Sequence, residues 1–295
     1  MYRQIEMRNR RVDMAAAAVT KWFGQYGFRS CILKGQGNAL AYPVPSARTP
    51  GDIDIWLEGG CGRILKFARQ RNVNGKVCYH HIDWGKYNGV EVEVHYRPSF
   101  MCNPIHNSRL QSWFLKNADR QFSNAVNLPD GAGTVSVPDF SFNVVYQLSH
   151  LFNHFLQEGI GLRQFVDYYF LLTSNKQEIL DKDWRCGIRR NLSYLGLHNF
   201  ARAVMWVLSE VFLLEEDCQI VSPDESGGRL LLGEIMAGGN FGQHDQRILC
   251  GIQTSSLHHN IARFYRDIRL FCHFPSECLC EPLFRLWHSV WRAYH

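Results

Sequence analysis

Two short stretches of the sequence decide the fold: Leu33-Lys34-Gly35-Gln36-Gly37 and, after a spacer of fourteen residues, Asp52-Ile53-Asp54-Ile55-Trp56. The second stretch alternates acidic and apolar side chains, which is typical of a β-strand with one polar face. Residues two apart on a strand project from the same face, so we expect Asp52 and Asp54 to present their carboxylates together while Ile53 and Ile55 enter the core. Paired carboxylates repel each other unless a cation lies between them, and hard cations such as Mg²⁺ prefer such oxygen ligands.

The first stretch follows a short apolar run at residues 28–33 and predicts a tight turn after a strand. Gly35 and Gly37 leave room for backbone N–H groups to approach a phosphate closely. Lys34 and Arg48 flank the acidic pair in sequence, where their charges can hold a triphosphate. Each of these features on its own more often belongs to an ordinary turn, a surface cation or a solvated strand than to a binding site. Their order and spacing favour a site for phosphate and metal.

A β-hairpin is predicted next, from alternating runs at residues 77–84 and 90–96 that are joined by an Asn88-Gly89 turn signal. The second run places three polar side chains on one face of its strand, namely Glu91, Glu93 and His95. A strand this charged on one face is either an exposed edge or the wall of a cleft. We favour the cleft, because the acidic pair faces solvent from a neighbouring strand.

The pattern of elements divides the chain into two domains of an α+β protein. Residues 1–137 are expected to form a mixed β-sheet with flanking helices at 5–26 and 62–71, followed by a polar connector at 117–133. Residues 138–295 are expected to form an all-helical domain that closes the cleft and binds substrate. Its helices are predicted at 140–156, 162–173, 177–187, 197–214, 229–236 and 261–271.

Composition excludes several classes of protein. The chain has 295 residues, of which 46% are hydrophobic, so a folded core is expected rather than disorder. The net charge of +5 is too small to indicate nucleic acid, and no apolar run is long enough for a membrane span. The ten cysteines have no regular spacing, which favours reduced thiols and a cytoplasmic location.

The quoted residues resemble the DNA polymerase β-like nucleotidyltransferase superfamily. More narrowly, Leu33-Lys34-Gly35, Arg48, Gly51-Asp52-Ile53-Asp54 and Glu93-Val94-His95 resemble a bacterial family known only as uncharacterised nucleotidyltransferases. The resemblance continues through the helical part. There it includes Leu148, His150, His154, Gly161-Leu162-Arg163, Asp167 and Phe274-Pro275-Ser276-Glu277.

The resemblance implies transfer of a nucleoside monophosphate from a nucleoside triphosphate to an acceptor, with release of pyrophosphate and two Mg²⁺ (or Mn²⁺) ions as cofactor. We expect ATP as donor and a hydroxyl-bearing acceptor. It also implies metal-binding and catalytic roles for Asp52, Asp54 and Glu93, with Glu91 as the alternative third ligand. Nucleotide binding would fall to Lys34, Gly35, Gln36, Gly37 and Arg48. The superfamily usually has Gly-Ser or Gly-Gly where this chain has Gly35-Gln36.

Polar stripes cross the predicted helices of the second domain. His150 and His154 lie four residues apart on one face, and so do Arg163 and Asp167. We favour contact of both pairs with acceptor or triphosphate. The second alternative is a solvated face, with an ion pair between Arg163 and Asp167. The third, for the two histidines alone, is a transition-metal site.

Two other functions stay open. The chain is alternatively an inactive relative that binds nucleotide or a partner, as the unusual turn suggests, or a metal-dependent phosphohydrolase that uses water as acceptor. Aromatic and basic residues alternate near the C-terminus, but this pattern favours packed helices over a nucleic-acid surface. If the aspartates are catalytic, removing either one should cost orders of magnitude in turnover with little effect on the fold.

Overall fold

A computed structural model of the chain describes residues 2–157, 159–238 and 256–294. Its helices and strands are α1 Tyr2–Gln25, β1 Ser30–Ile32, α2 Gln36–Ala39, β2 Ile53–Leu57, α3 Gly60–Gln70, β3 His81–Tyr87, β4 Val90–His95, α4 Pro104–Ser123, β5 Ala125–Leu128, β6 Gly133–Ser136, α5 Phe140–Gln157, α6 Leu162–Thr173, α7 Lys176–Leu180, α8 Lys182–Tyr194, α9 His198–Phe212, α10 Glu225–Gly238, α11 Ser256–Leu270 and α12 Pro275–Ala293.

The chain forms two compact units. The first comprises Met1–Pro98, Gln111–Asn143 and Arg292–His295, and the second comprises Ser99–Leu110 and Val144–Trp291. The expected boundary between residues 137 and 138 lies shortly before Asn143, where the chain leaves the first unit. The assignment of two domains with separate tasks stays a prediction.

A mixed four-stranded sheet forms the centre of the first unit, with strand order β1-β2-β4-β3. Strand β2 runs antiparallel to β1 and parallel to β4, while β3 runs antiparallel to β4. Apolar side chains of α1, α3 and the strands share one core that includes Phe23, Ile64, Ile53, Ile55 and Val94. This arrangement confirms the predicted α+β class, and Ile53 and Ile55 enter the core as expected. Every residue of β2 is buried, including Asp54, so the expectation that the acidic pair faces solvent is wrong for Asp54.

Turn residues set the geometry of the hairpin between β3 and β4. Asn88 and Gly89 both have positive φ values, 50° and 78°, as the tightest hairpin turns require. They place Tyr87 opposite Val90 in the register. The Asn-Gly signal therefore predicted the turn correctly, although β3 begins at His81 rather than at Val77, which forms an isolated bridge with Ile82.

The expected polar connector at residues 117–133 is wrong. Helix α4 covers Pro104–Ser123, and the strands β5 and β6 pair as a separate two-stranded sheet. On α4, the buried residues Leu110, Phe114 and Phe122 follow helical spacing among polar neighbours. The ring centroids of Trp56 on β2 and Phe122 on α4 are 4.5 Å apart, so this helix covers part of the sheet.

Helices make up the second unit, as predicted. Helix α6 has the predicted bounds, whereas the single helix expected at 177–187 is two helices, α7 and α8. The break falls at Asp181, whose backbone is extended and whose Oδ1 atom accepts a hydrogen bond of 2.9 Å from the N–H of Trp184. Among the described residues, every helix is too short or too polar to cross a membrane.

Candidate active site

Asp54 and Glu93 lie side by side in the sheet. The parallel register of β2 and β4 pairs Asp54 with Glu93, so their side chains share the face opposite to the core of α1 and α3. The Asp54 side chain is 1% exposed and that of Glu93 is 31% exposed. The sheet therefore places one carboxylate deep in the protein and the other beside it, within reach of solvent.

Two basic side chains contact Asp54. Its Oδ1 atom lies 2.9 Å from Nζ of Lys34 and 3.0 Å from Nε2 of His95. Burial would raise the pKa of Asp54, but the charges and hydrogen bonds of Lys34 and His95 outweigh burial and hold this pKa below its usual value. Asp54 is consequently ionised at neutral pH.

His95 also contacts Glu93, with 3.6 Å between Nε2 of His95 and Oε2 of Glu93. Burial opposes protonation of His95, but its hydrogen bonds to Asp54 and Glu93 raise the pKa to about 9. Burial would raise the pKa of Glu93, but the contact with His95 acts against burial and lowers this pKa. The imidazolium of His95 therefore holds the two carboxylates together.

Asp52 immediately precedes β2 and is half-buried. The negative charge of Asp54, followed by burial, raises the pKa of Asp52. The carboxylate of Asp52 is not among the groups of three potential metal ligands found within 4.8 Å of one another in the described part of the chain, whereas Asp54, Glu93 and His95 form such a group. The structure thus brings Asp54 and Glu93 together, with Asp52 outside their group of three but within the influence of the same charges.

Gly35 forms the turn that lies against Asp52. Its φ of +60° and ψ of −106° belong to a region that residues with a side chain rarely adopt. A Cβ atom at Gly35 would lie 3.5 Å from the backbone oxygen of Asp52. The glycine allows the chain to bring Lys34 back towards Asp54.

Gln36 and Gly37 make contacts within the protein. The Gln36 side chain is 3% exposed and its Nε2 atom donates to Oδ1 of Asp13 on α1. The N–H of Gly37 donates to the oxygen of Lys34, and a Cβ atom at Gly37 would lie 3.1 Å from Val137. A contact of the Gln36 side chain with a phosphate, one way in which Gln36 could bind nucleotide in place of the usual serine, therefore conflicts with the position of this side chain.

Glu91 and Arg48 have different surroundings. Glu91 is exposed and lies 3.2 Å from Nζ of Lys86, its partner across the hairpin. Arg48 is buried, and its backbone oxygen accepts a hydrogen bond of 2.7 Å from Nδ2 of Asn9. Of the two glutamates considered as third ligand, Glu93 is the one that the register places beside Asp54.

A sequence profile described as an uncharacterised nucleotidyltransferase matches residues 1–213 of the chain. The chain belongs to this family. The match includes every residue proposed above for catalysis or binding, in both units. No curated protein matches the sequence significantly.

Among solved structures, this nucleotidyltransferase family member is similar to an antigenic nucleotidyltransferase-like protein from Paracoccidioides brasiliensis. The sequences are 10% identical, the TM-score is 0.37, and the match covers 74% of this chain and 96% of that chain.

In the second unit, the structure places the predicted polar residues on α5 and α6. The rings of His150 and His154 have their centroids 4.3 Å apart, as i, i+4 spacing requires. Arg163 is exposed and Asp167 is buried. Their roles in substrate binding stay a prediction.

Sequence reasoning missed two polar residues of α1, Asn9 and Asp13, that anchor the site. Asn9 donates to the backbone oxygens of Ser46 and Arg48, and Asp13 accepts from Gln36. Both are less than 6% exposed and occur at the helical spacing of the buried residues Val12 and Ala16. A polar residue at a core position of an amphipathic helix is the signal that was available.

Proposed function

We propose that this nucleotidyltransferase family member transfers a nucleoside monophosphate from a nucleoside triphosphate, with ATP as the expected donor, to a hydroxyl-bearing acceptor and releases pyrophosphate. The observation that carries the proposal is the pairing of Asp54 with Glu93 on parallel strands, with Asp52 immediately before the first of them. A cytoplasmic location stays a prediction, to which the nine described cysteines, all free thiols, lend support.

The residues fit a divalent metal ion. The Oδ2 atom of Asp54 is buried and has no hydrogen-bond partner in the described part of the chain. Such an oxygen, together with the carboxylates of Glu93 and Asp52, provides the hard ligands that Mg²⁺ or Mn²⁺ requires. Bound there, the metal supplies charge neutralisation at the phosphates and activation of the attacking hydroxyl.

Lys34 and His95 then have separate tasks in the mechanism. Lys34 is 22% exposed and ends 2.9 Å from Asp54, so its ammonium group is placed to exchange this carboxylate for a phosphate oxygen. His95 stays buried and orients Asp54 and Glu93 through Nε2. Positioning and charge neutralisation, rather than covalent chemistry by the protein, carry the reaction.

We keep the remaining site residues as proposals. Arg48 and the backbone of residues 35–37 are assigned to the nucleotide. His150, His154, Arg163 and Asp167 are assigned to substrate. These assignments rest on the family resemblance and on sequence spacing.

Transfer of α-³²P-labelled nucleoside triphosphates into an extract of the source cells, with Mg²⁺ or Mn²⁺, tests the proposal. We expect a labelled product that disappears in Asp52→Asn, Asp54→Asn and Glu93→Gln. Asp119→Asn is the matched control, because its side chain is 85% exposed and pairs with Arg29. Release of nucleotide without an adduct would indicate a phosphohydrolase, and metal-dependent nucleotide binding without turnover would indicate an inactive relative.

A further inference from the structure

Three histidines meet at the end of the sheet where β3 begins. Each of His80, His81 and His95 offers a ring nitrogen, and these three atoms lie within 4.8 Å of one another. The ring centroids are 4.4 Å apart for His80 and His81, 5.4 Å for His80 and His95, and 5.3 Å for His81 and His95. The sequence alone favours a structural or surface role for His80 and His81.

Backbone hydrogen bonds fix these histidines. The register pairs His81 with His95 across β3 and β4. The backbone oxygen of His80 accepts from the N–H groups of Tyr96 and Arg97, at 3.0 and 3.2 Å. These hydrogen bonds hold the backbone of His81 and His95 within the sheet and that of His80 against its end, which limits the cost of organising the three rings around an ion.

The ligand spacing around His81 fits a transition metal. Nδ1 of His81 lies 3.0 Å from Nε2 of His80. The other ring nitrogen, Nε2, lies 3.2 Å from Oδ1 of Asp83, a contact that orients the ring with Nδ1 towards His80. Ligands about 2.0–2.1 Å from a tetrahedral Zn²⁺ ion are roughly 3.3 Å apart, so small ring movements suffice. The His81 side chain is 13% exposed and that of Asp83 is 46% exposed, which leaves a route from solvent.

We propose that His80, His81 and His95 form a site for one transition-metal ion of the Zn²⁺ class, distinct in chemistry from the Mg²⁺ site. Imidazole ligands select Zn²⁺ and Co²⁺, whereas Mg²⁺ prefers oxygen. His95 belongs to this cluster and also contacts Asp54 at 3.0 Å. Binding of the ion displaces a ring proton of His95 to solvent and takes the imidazole away from Asp54, so the ion inhibits transfer; this second effect rests on the proposed function.

Titration of the tag-free, full-length protein with Co²⁺ in excess Mg²⁺, followed by visible d–d absorption, tests the site without any need for turnover. We expect one tightly bound ion with nitrogen and oxygen ligation. His81→Gln and His80→Gln should each weaken binding by at least about 10- to 100-fold, the range seen when even an outer-shell partner is lost. Far-UV circular dichroism and thermal unfolding establish that both variants are folded.

The double variant His150→Gln/His154→Gln is the matched control, because its two rings are as close together as those of His80 and His81. Loss of Co²⁺ binding in this control and not in His81→Gln overturns the proposal. Thiolate charge-transfer bands, or equal binding by wild type and His81→Gln, also overturn it.

The inhibitory effect has its own test. Zn²⁺ should inhibit Mg²⁺-dependent transfer by the wild type more strongly than transfer by His81→Gln. Equal inhibition of the two proteins overturns this effect. If the wild type transfers nothing with Mg²⁺ alone, the proposed function fails while the Co²⁺ spectrum still decides the metal site.

Discussion

The imidazole of His95 lies 3.0 Å from the carboxylate of Asp54, and both side chains are 1% exposed. Such a buried pair is stable when both charges are present, and it becomes costly when one of them is removed. Lys34 contacts the same oxygen of Asp54 from the solvent side. Asp54 therefore has a structural role in addition to any role in metal binding.

Asp54→Asn should lower the free energy of unfolding by about 3–5 kcal/mol, because it removes the nearest counter-charge of both His95 and Lys34. For Asp54, this prediction differs from the expectation from sequence that either aspartate could be removed with little effect on the fold. Urea unfolding of the metal-free protein measures the loss. Asp119→Asn, at a side chain that is 85% exposed, should change stability by about 0.5 kcal/mol or less. Equal stabilities of the two variants would contradict the buried role of Asp54.

Asp52→Asn should have the opposite effect on the metal-free protein. The charge of Asp54 raises the pKa of Asp52, so ionised Asp52 destabilises the folded state. This destabilisation is absent at low pH, where the carboxyl group of Asp52 is protonated, and it appears as pH rises through the raised pKa. We expect Asp52→Asn to raise the melting temperature at neutral pH and low salt, and to abolish stabilisation by Mg²⁺. A melting temperature below that of the wild type would show that Asp52 is not under electrostatic strain.

The stability of the metal-free protein should fall as pH rises from about 6.5 to about 9. His95 has a pKa of about 9 in the folded protein against a reference value of 6.5. Because the folded-state pKa is raised, the stabilisation is complete below the unfolded-state value and is lost as pH rises through the folded-state value. The shift corresponds to about 3 kcal/mol. Denaturant unfolding across this range should show the fall in the wild type and a flatter profile in His95→Gln; parallel profiles would contradict it.

Much of this site could be predicted from the sequence, since alternation is a local property. The alternation of Ile53 and Ile55 with acidic residues predicted that these two side chains enter the core, and Asn88-Gly89 predicted the hairpin that carries Glu93. The register then follows from which face is apolar.

The missed features depend on contacts between residues distant in sequence. That His95 would hold Asp54, 41 residues away, depends on the parallel pairing of β2 and β4, and alternation does not specify strand order. The polar composition around Asn117 concealed helix α4, because its apolar stripe at Leu110 and Phe114 is narrow.

Gly35→Ala should destabilise the first unit by about 1–3 kcal/mol, the usual cost of a side chain at a positive φ. The residue has φ +60°, and the new Cβ would lie 3.5 Å from the Asp52 oxygen. We also expect weaker nucleotide binding, since Lys34 precedes the turn. Gly62→Ala is the matched control: Gly62 lies in α3 with no atom within 4 Å of an added Cβ, so alanine there should be neutral or stabilising. Thermal unfolding of both variants compares the sites, and equal melting temperatures would show that the turn tolerates a side chain.

Gln36→Ser introduces the residue that the superfamily usually has at this position, and we expect it to destabilise the protein rather than to improve nucleotide binding. Gln36 donates to Asp13, which is 5% exposed and whose pKa is raised by burial against the effect of this hydrogen bond. Serine is too short to replace the amide, so the Asp13 carboxylate loses its donor at a cost of about 1–3 kcal/mol.

A double-mutant cycle with Asp13→Asn separates the two roles of Gln36. If Gln36 serves as an anchor, its coupling to Asp13 in urea unfolding should be about 0.5–3 kcal/mol, while the dissociation constant for a non-hydrolysable nucleoside triphosphate stays unchanged. If instead the substitution weakens nucleotide binding strongly and leaves stability unaffected, the Gln36 side chain contacts the nucleotide in the working enzyme. Because the Gln36 side chain is buried and its amide donates to Asp13 on α1, we expect the first result.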